Sequence, residues 1–249
     1  MRRLTGLTLV LALLLSGCLN NTSGGNARNG SVTVFAAASL KSAFEAMAAE
    51  FTSSQGIQVT FSFLGSQDLV ANLAGGARAD VLATADQASM ARATEQHLVA
   101  QSTVFAQNTL VLVTPPGNPA GVTGLDASLD GTKLVICDEA VPCGNATATL
   151  ATTLGVTLHP VSKEQKVSDV VSKIITGEGD AGVVYATDAA SAGDQVTVVQ
   201  IRGADRVVNR YPIALTAEPT NREGAQKFLD HVLSETGQRV LADHGFAAP

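Results

Sequence analysis

The stretch VTVFAAASLKSAFEAMAAEF, Val32 to Phe51, changes its period halfway along. Val32, Val34 and Phe35 are strand formers, three alanines and Ser39 follow, and from Leu40 the apolar residues Ala43, Phe44, Met47 and Phe51 recur at helical spacing. A strand running directly into a helix is the building unit of an α/β fold. The residue left at the junction, Ser39, is too small to fill space but can both donate and accept a hydrogen bond.

The same alternation continues outward. IQVTFSF reads as a second strand and SQDLVANLAGG as a second helix, with ADVLATAD and NTLVLVTPPGNP as strands three and four. Strand KLVIC, a helix from about Asn145 to Leu154, helix VSDVVSKIITG and strands AGVVY and QVTVVQI repeat the theme. YPIALT and two helices, 221–234 and about 235–243, close the chain. Largely parallel sheets are expected from this order. Periodicity alone permits either one doubly wound domain or two lobes, with crossovers at Thr114 to Gly117 and Asn209 to Leu215.

Of the 249 residues, 45% are hydrophobic and 15% charged, enough to bury a sizeable core. The formal charge of −6, with Arg2 and Arg3 as the only basic cluster of note, argues against nucleic acid or an anionic membrane surface as a partner. Arg2 and Arg3 precede an apolar run from Leu4 to Leu15, and LSGC follows, a pattern that reads as an export leader. The tetrapeptide resembles the bacterial lipobox, which implies cleavage of residues 1–17, lipid on Cys18 and a flexible tether over residues 18–31. Cys137 and Cys143 remain, in CDEAVPCGN. A disulfide persists in an exported protein, and a metal pair is the rival reading, although no histidine or third cysteine stands near in sequence.

Three strand-to-helix junctions have chemistry to offer: Ser39, Ser66 in FLGSQDL, and VPCGNAT after KLVIC. Helix starts carry unpaired backbone N–H groups and a partial positive charge, so converging starts form an anion cradle that needs no cationic side chain. The plainer reading of a serine before a helix is an N-cap that serves its own backbone.

VTVFAAASLKSAF, ADVLATADQ, VPCGNA, GEGDAGVVYATDA and the closing GFAAP resemble the periplasmic molybdate-binding component of ABC importers, over essentially the whole chain after the tether. The resemblance implies a type II periplasmic-binding fold of two α/β lobes around a ligand cleft, with lobe one over 32–113 plus 211–249 and lobe two over 114–210. It implies an oxyanion, molybdate or tungstate, held by neutral donors alone: Ser39 and Ser66 through hydroxyl and backbone, Cys143 and Val167 through backbone N–H, Tyr185 through its phenol. Molybdenum is thus met only as the oxyanion, with no direct cation ligand and no cofactor. The partners implied are a membrane permease and, through Cys18, the membrane, for a monomer that is not an enzyme. Gly65, Gln67 and Asp68 depart from the family's run of small hydroxyl residues, and an inward Asp68 would oppose a dianion.

Sulfate or another tetrahedral oxyanion is the alternative ligand. A serine hydrolase, with Ser39 as nucleophile and His97, His159, His231 or His244 as base, is the alternative of another class, but no G-x-S-x-G elbow surrounds either serine. Without tryptophan and with 4% aromatics, the chain lacks the platforms a sugar site uses.

Overall fold

The computed structural model describes residues 30–249. The leader, Cys18 and the tether up to residue 29 lie outside the described residues. The chain runs β1 (Val32–Ala37), α1 (Lys41–Gln55), β2 (Val59–Leu64), α2 (Ser66–Ala74), β3 (Val81–Ala83), α3 (Gln87–Glu95), β4 (Thr103–Asn108), β5 (Leu110–Thr114) and β6 (Leu134–Cys137). It continues through α4 (Pro142–Leu154), β7 (Ser162–Glu164), α5 (Val167–Ile175), β8 (Ala181–Tyr185), α6 (Ala186–Ala192), β9 (Thr197–Val199), β10 (Asn209–Leu215), α7 (Arg222–Leu233) and α8 (Glu235–Asp243).

Two five-stranded sheets form, in the orders β2-β1-β3-β10-β4 and β7-β6-β8-β5-β9. Each is mixed rather than largely parallel. β10 lies antiparallel to β3 and β4, and β5 antiparallel to β8 and β9, because these strands enter each sheet from the other one. β5 was expected at the end of the first lobe but pairs in the second sheet, so the first crossover falls at Thr109, between β4 and β5, rather than at 114–117. β4, which the periodicity did not predict, lies at the sheet edge, paired with β10 and bridged to Ala247 through Gln107, and its pattern TVFAQN mixes exposed with buried positions.

Strands β5, β6 and β8 are buried at every position, which accounts for their unbroken apolar runs. In the first lobe the α1 face seen in sequence packs Phe44 against Phe61, Phe105 and Phe228, with ring centroids 5.8–6.1 Å apart. Helix α4 begins at Pro142, earlier than expected, since a proline at the first helical position loses no hydrogen bond. That places Val141 at the N-cap and Pro142 to Asn145 in the helix's first turn rather than before it.

One fully buried carboxylate fastens the first sheet to its covering helix. Asp80 Oδ1 accepts from Thr220 N at 2.6 Å, Thr220 Oγ1 at 2.8 Å and Asn221 N at 3.0 Å, while Oδ2 accepts from Thr33 N at 2.7 Å. These bonds join β1, the segment before β3 and the start of α7. Leaving partly buried donors without their carboxylate costs up to about 1–3 kcal/mol each, so Asp80→Ala is expected to lose about 3 kcal/mol in urea unfolding. A loss under about 1 kcal/mol would show that water replaces the carboxylate.

Candidate functional site

Four chain segments arrive at one small cavity between the sheets. They are the end of β1 with the 3-10 turn after it (Ala37, Ala38), the start of α2 (Gly65, Ser66), the start of α4 (Val141, Pro142, Cys143) and the start of α5 (Lys166, Val167). Tyr185, at the end of β8, completes it. The cavity has a volume of about 20 Å³. A single water needs roughly 10–15 Å³, so the space is of the size that suits a small ion.

Ser66, Cys143 and Val167 lie in the first turns of their helices, where backbone N–H groups have no intrahelical acceptor. Four of the five residues expected at the site, Ser66, Cys143, Val167 and Tyr185, therefore share one cavity. Ser39 sits beside it. Its neighbours Ala37 and Ala38 line the cavity, whereas Ser39 itself lines an adjoining open hollow with Lys41, Glu45, Ser168 and Asp188.

Neither serine acts as a helix cap. Ser66 is the first residue of α2, and its Oγ accepts from Ala85 N at 3.0 Å. Ser39 Oγ bonds with the hydroxyl of Tyr211 at 3.1 Å. Among the described residues neither serine hydroxyl bonds to an imidazole; His231 packs on Phe51, and His244 Nδ1 lies 2.8 Å from Val240 O.

Cys137 and Cys143 form a disulfide, which ties the end of β6 to the first turn of α4. A Cβ on Gly144 would stand 1.8 Å from Asp138 O, so only glycine lets this turn lie so close to the strand end. A bridge closing so short a loop contributes about 2–2.5 kcal/mol in the chain-entropy model.

Asp68 is not among the residues lining the cavity. Gln67 instead reaches across to the second lobe, where its Nε2 donates to Gln165 O at 3.3 Å. A Cβ at position 65 would stand 2.5 Å from Gln67 Nε2 and 2.6 Å from Gln165 O, so the glycine makes room for this contact. Lys166 lines the cavity, but its ammonium pairs with Asp169 at 3.5 Å. The cavity walls therefore offer neutral donors.

Sequence reasoning missed the layer behind these groups. Tyr185 Oη accepts from Asn209 Nδ2 at 2.9 Å, and Tyr211 Oη accepts from Asn108 Nδ2 at 3.4 Å. Asparagine is depleted in strands, so Asn108 at the end of β4 and Asn209 at the start of β10 were the available signal. Asp188 was also missed. Its Oδ2 accepts from Tyr185 N at 3.3 Å, and although the residue reaches the open hollow, desolvation pushes the carboxyl up to about 7. Burial likewise raises both phenols well above the usual range.

Residues 32–247 match the model of the bacterial extracellular solute-binding proteins, and the chain belongs to that family. Within it, Molybdate-binding protein ModA of Mycobacterium tuberculosis (strain ATCC 25618 / H37Rv) is 40% identical over 252 residues, 97% of each chain. The solved periplasmic molybdate-binding protein of Azotobacter vinelandii superposes with a TM-score of 0.78 at 20% identity, covering 88% of this chain and 99% of that one. The sulfate-binding protein SubI of M. tuberculosis H37Rv gives 0.70 at 21%, over 88% and 87%. The two structural likenesses establish the two-lobed fold, while the family match establishes an extracytoplasmic solute-binding protein of the transport type.

The Asp188 carboxyl sets a pH dependence. Its folded value of about 7 lies above the unfolded 3.8, so the stability it contributes is full below about pH 4 and is lost as pH rises through 7. Compared with Asp188→Asn, wild type is expected to fall progressively behind in melting temperature between pH 4 and 7 and to hold a constant deficit above that. A difference that stays flat with pH would mean the carboxyl titrates normally.

Proposed function

We propose that this chain captures molybdate or tungstate and hands it to the membrane permease of an ABC importer. The observation that carries the reading is the convergence of the α2, α4 and α5 starts, with the Ser66 and Tyr185 hydroxyls, on one ion-sized cavity without a free cation. The 40% identity to a molybdate-binding relative over 97% of both chains supports the choice of ligand. Ser66, Cys143, Val167 and Tyr185 hold the oxyanion, and Ser39 joins them as the lobes close. The protein acts as a monomer without a cofactor and catalyses no reaction, and lipid on Cys18 keeps it at the outer face of the cell membrane.

Hydrogen bonds to a charged group contribute about 1.5–3 kcal/mol each. Five residues with one or two donors apiece reach a gross gain on the order of 10–20 kcal/mol, against about 8 kcal/mol for a micromolar constant. Cationic side chains are not needed. A site of donors also rejects hydrogen phosphate, whose proton would be buried without an acceptor. Sulfate shares molybdate's charge and shape and differs in size, so it is the second reading.

A melt of the chain from residue 30 onward, with molybdate, tungstate, sulfate or phosphate at equal concentration, separates these readings. Ligand at a hundredfold over its dissociation constant stabilises by about 2.7 kcal/mol, a rise of about 5–10 °C for a chain of this size. Molybdate and tungstate are expected to give that rise, and phosphate none. Sulfate acting alone would transfer the assignment to sulfate, and no response to any anion would overturn it. Ser66→Ala is expected to weaken molybdate binding by about 10- to 150-fold in calorimetric titration, the loss of one hydrogen bond to a charged group.

A further inference from the structure

We infer that Asn209 and Asn108, which touch no ligand in the reading above, are the residues that make this site a donor site. The inference rests on that reading and deepens it, assigning the rejection of protonated oxyanions to two amides at the lobe crossovers.

A hydroxyl has one proton and can face a ligand as donor or as acceptor. Which face it shows depends on what its other neighbour does. For Tyr185 the hydrogen-bond partner within 3.5 Å is Asn209 Nδ2, 2.9 Å from the phenolic oxygen, with the Tyr211 hydroxyl as a further interacting neighbour. The orientation of that amide is not free, because the same nitrogen also lies 3.1 Å from Ala85 O, a carbonyl that can only accept. Both Nδ2 protons are thereby committed, one to Ala85 and one to Tyr185. Tyr185 accepts from behind and is left to donate into the cavity.

Asn108 is oriented in the same way from its other end. Its Oδ1 accepts from Thr109 N at 2.9 Å, a group that can only donate, so Nδ2 faces Thr187 Oγ1 at 2.7 Å and Tyr211 Oη at 3.4 Å. Tyr211 accepts from Asn108, and in the inferred arrangement its own proton goes to Ser39 Oγ, 3.1 Å away, a pair in which either oxygen can donate. Ser39 then has its proton free for a ligand. Ser66 follows the rule through a backbone group, accepting from Ala85 N. All three hydroxyls assigned to the ligand are fed from behind by a donor.

The layer is buried. Tyr185, Tyr211, Asn108 and Asn209 are between 0% and 7% exposed, so bulk water does not set these proton directions. The two asparagines face each other across the β4–β10 ladder, where the chain passes between the sheets. Asn209 Oδ1 has no hydrogen-bond partner, so the amide is held by its donor side alone.

The test is Asn209→Asp, with calorimetric titrations of molybdate and hydrogen phosphate at a pH where both are dianions. The added charge then opposes both anions alike, and the ratio of their affinities isolates the proton. The aspartate accepts from Tyr185, which turns the phenolic oxygen into an acceptor toward the cavity. Molybdate binding is expected to weaken at least 30-fold, and the phosphate-to-molybdate affinity ratio to rise at least tenfold. An equal loss for both anions, or molybdate binding within twofold of wild type, overturns the inference. Asn209→Ala, which removes the donor without adding charge, is read beside it and decides the matter if the aspartate variant fails to melt like wild type. It is expected to lose molybdate about tenfold while hydrogen phosphate is unchanged, and an equal loss overturns. Wild type that binds sulfate but not molybdate corrects the cargo alone, and the same ratios are then read against sulfate; wild type that binds no oxyanion overturns both readings.

Discussion

The chain crosses between its two sheets at Thr109 and again just before Asn209, and the two crossings are hydrogen-bonded neighbours because Asn108 stands opposite Asn209 in the β4–β10 ladder. This pairing makes the connection narrow and places it directly behind the cavity. β4 and β10 belong to one sheet, β5 follows β4 into the other, and the residues at the seam are polar where strand interiors are apolar. A register irregularity between Tyr211 and Pro212 accompanies the seam, as a bulge does where a strand must re-aim its side chains. Tyr211 meets Tyr185 edge-on with ring centroids 5.9 Å apart, so Tyr211 packs directly behind the phenol that lines the cavity.

Charge neutrality of the donors follows from the location. A cationic side chain inside so small and apolar a cavity would carry a large desolvation cost unless an anion stood beside it. Helix starts supply positive potential from groups the fold already contains. Lys166 shows the alternative being declined: it reaches the cavity wall, yet its charge is satisfied by Asp169 on the next helical turn. The disulfide between Cys137 and Cys143 fastens the α4 start, whose first residues line the cavity, to the end of β6.

The departures at Gly65, Gln67 and Asp68 acquire a single explanation in three dimensions. Losing the side chain at Gly65 removes one possible donor but opens the space through which Gln67 contacts Gln165 of the opposite lobe. Asp68, which could have opposed an anion, lies in the first turn of α2, where a carboxylate favours the helix dipole and does not line the cavity.

The amino-acid sequence by itself determined the alternation of strand and helix and the strand-to-helix junctions at Ser39, Ser66 and VPCGN, and it pointed to Tyr185. Those signals are local, carried by hydrophobic period, helix-start chemistry and family motifs within a few residues of each other. The mixed sheets, the membership of β5, the edge strand β4 and the two asparagines with Tyr211 and Asp188 were decided only by tertiary structure. The partners of Asn209, Ala85 and Tyr185, lie 124 and 24 residues away, and Ser39 meets Tyr211 across 172. A hydroxyl's role as donor depends on such partners, and nothing in the residues beside it in sequence can set it.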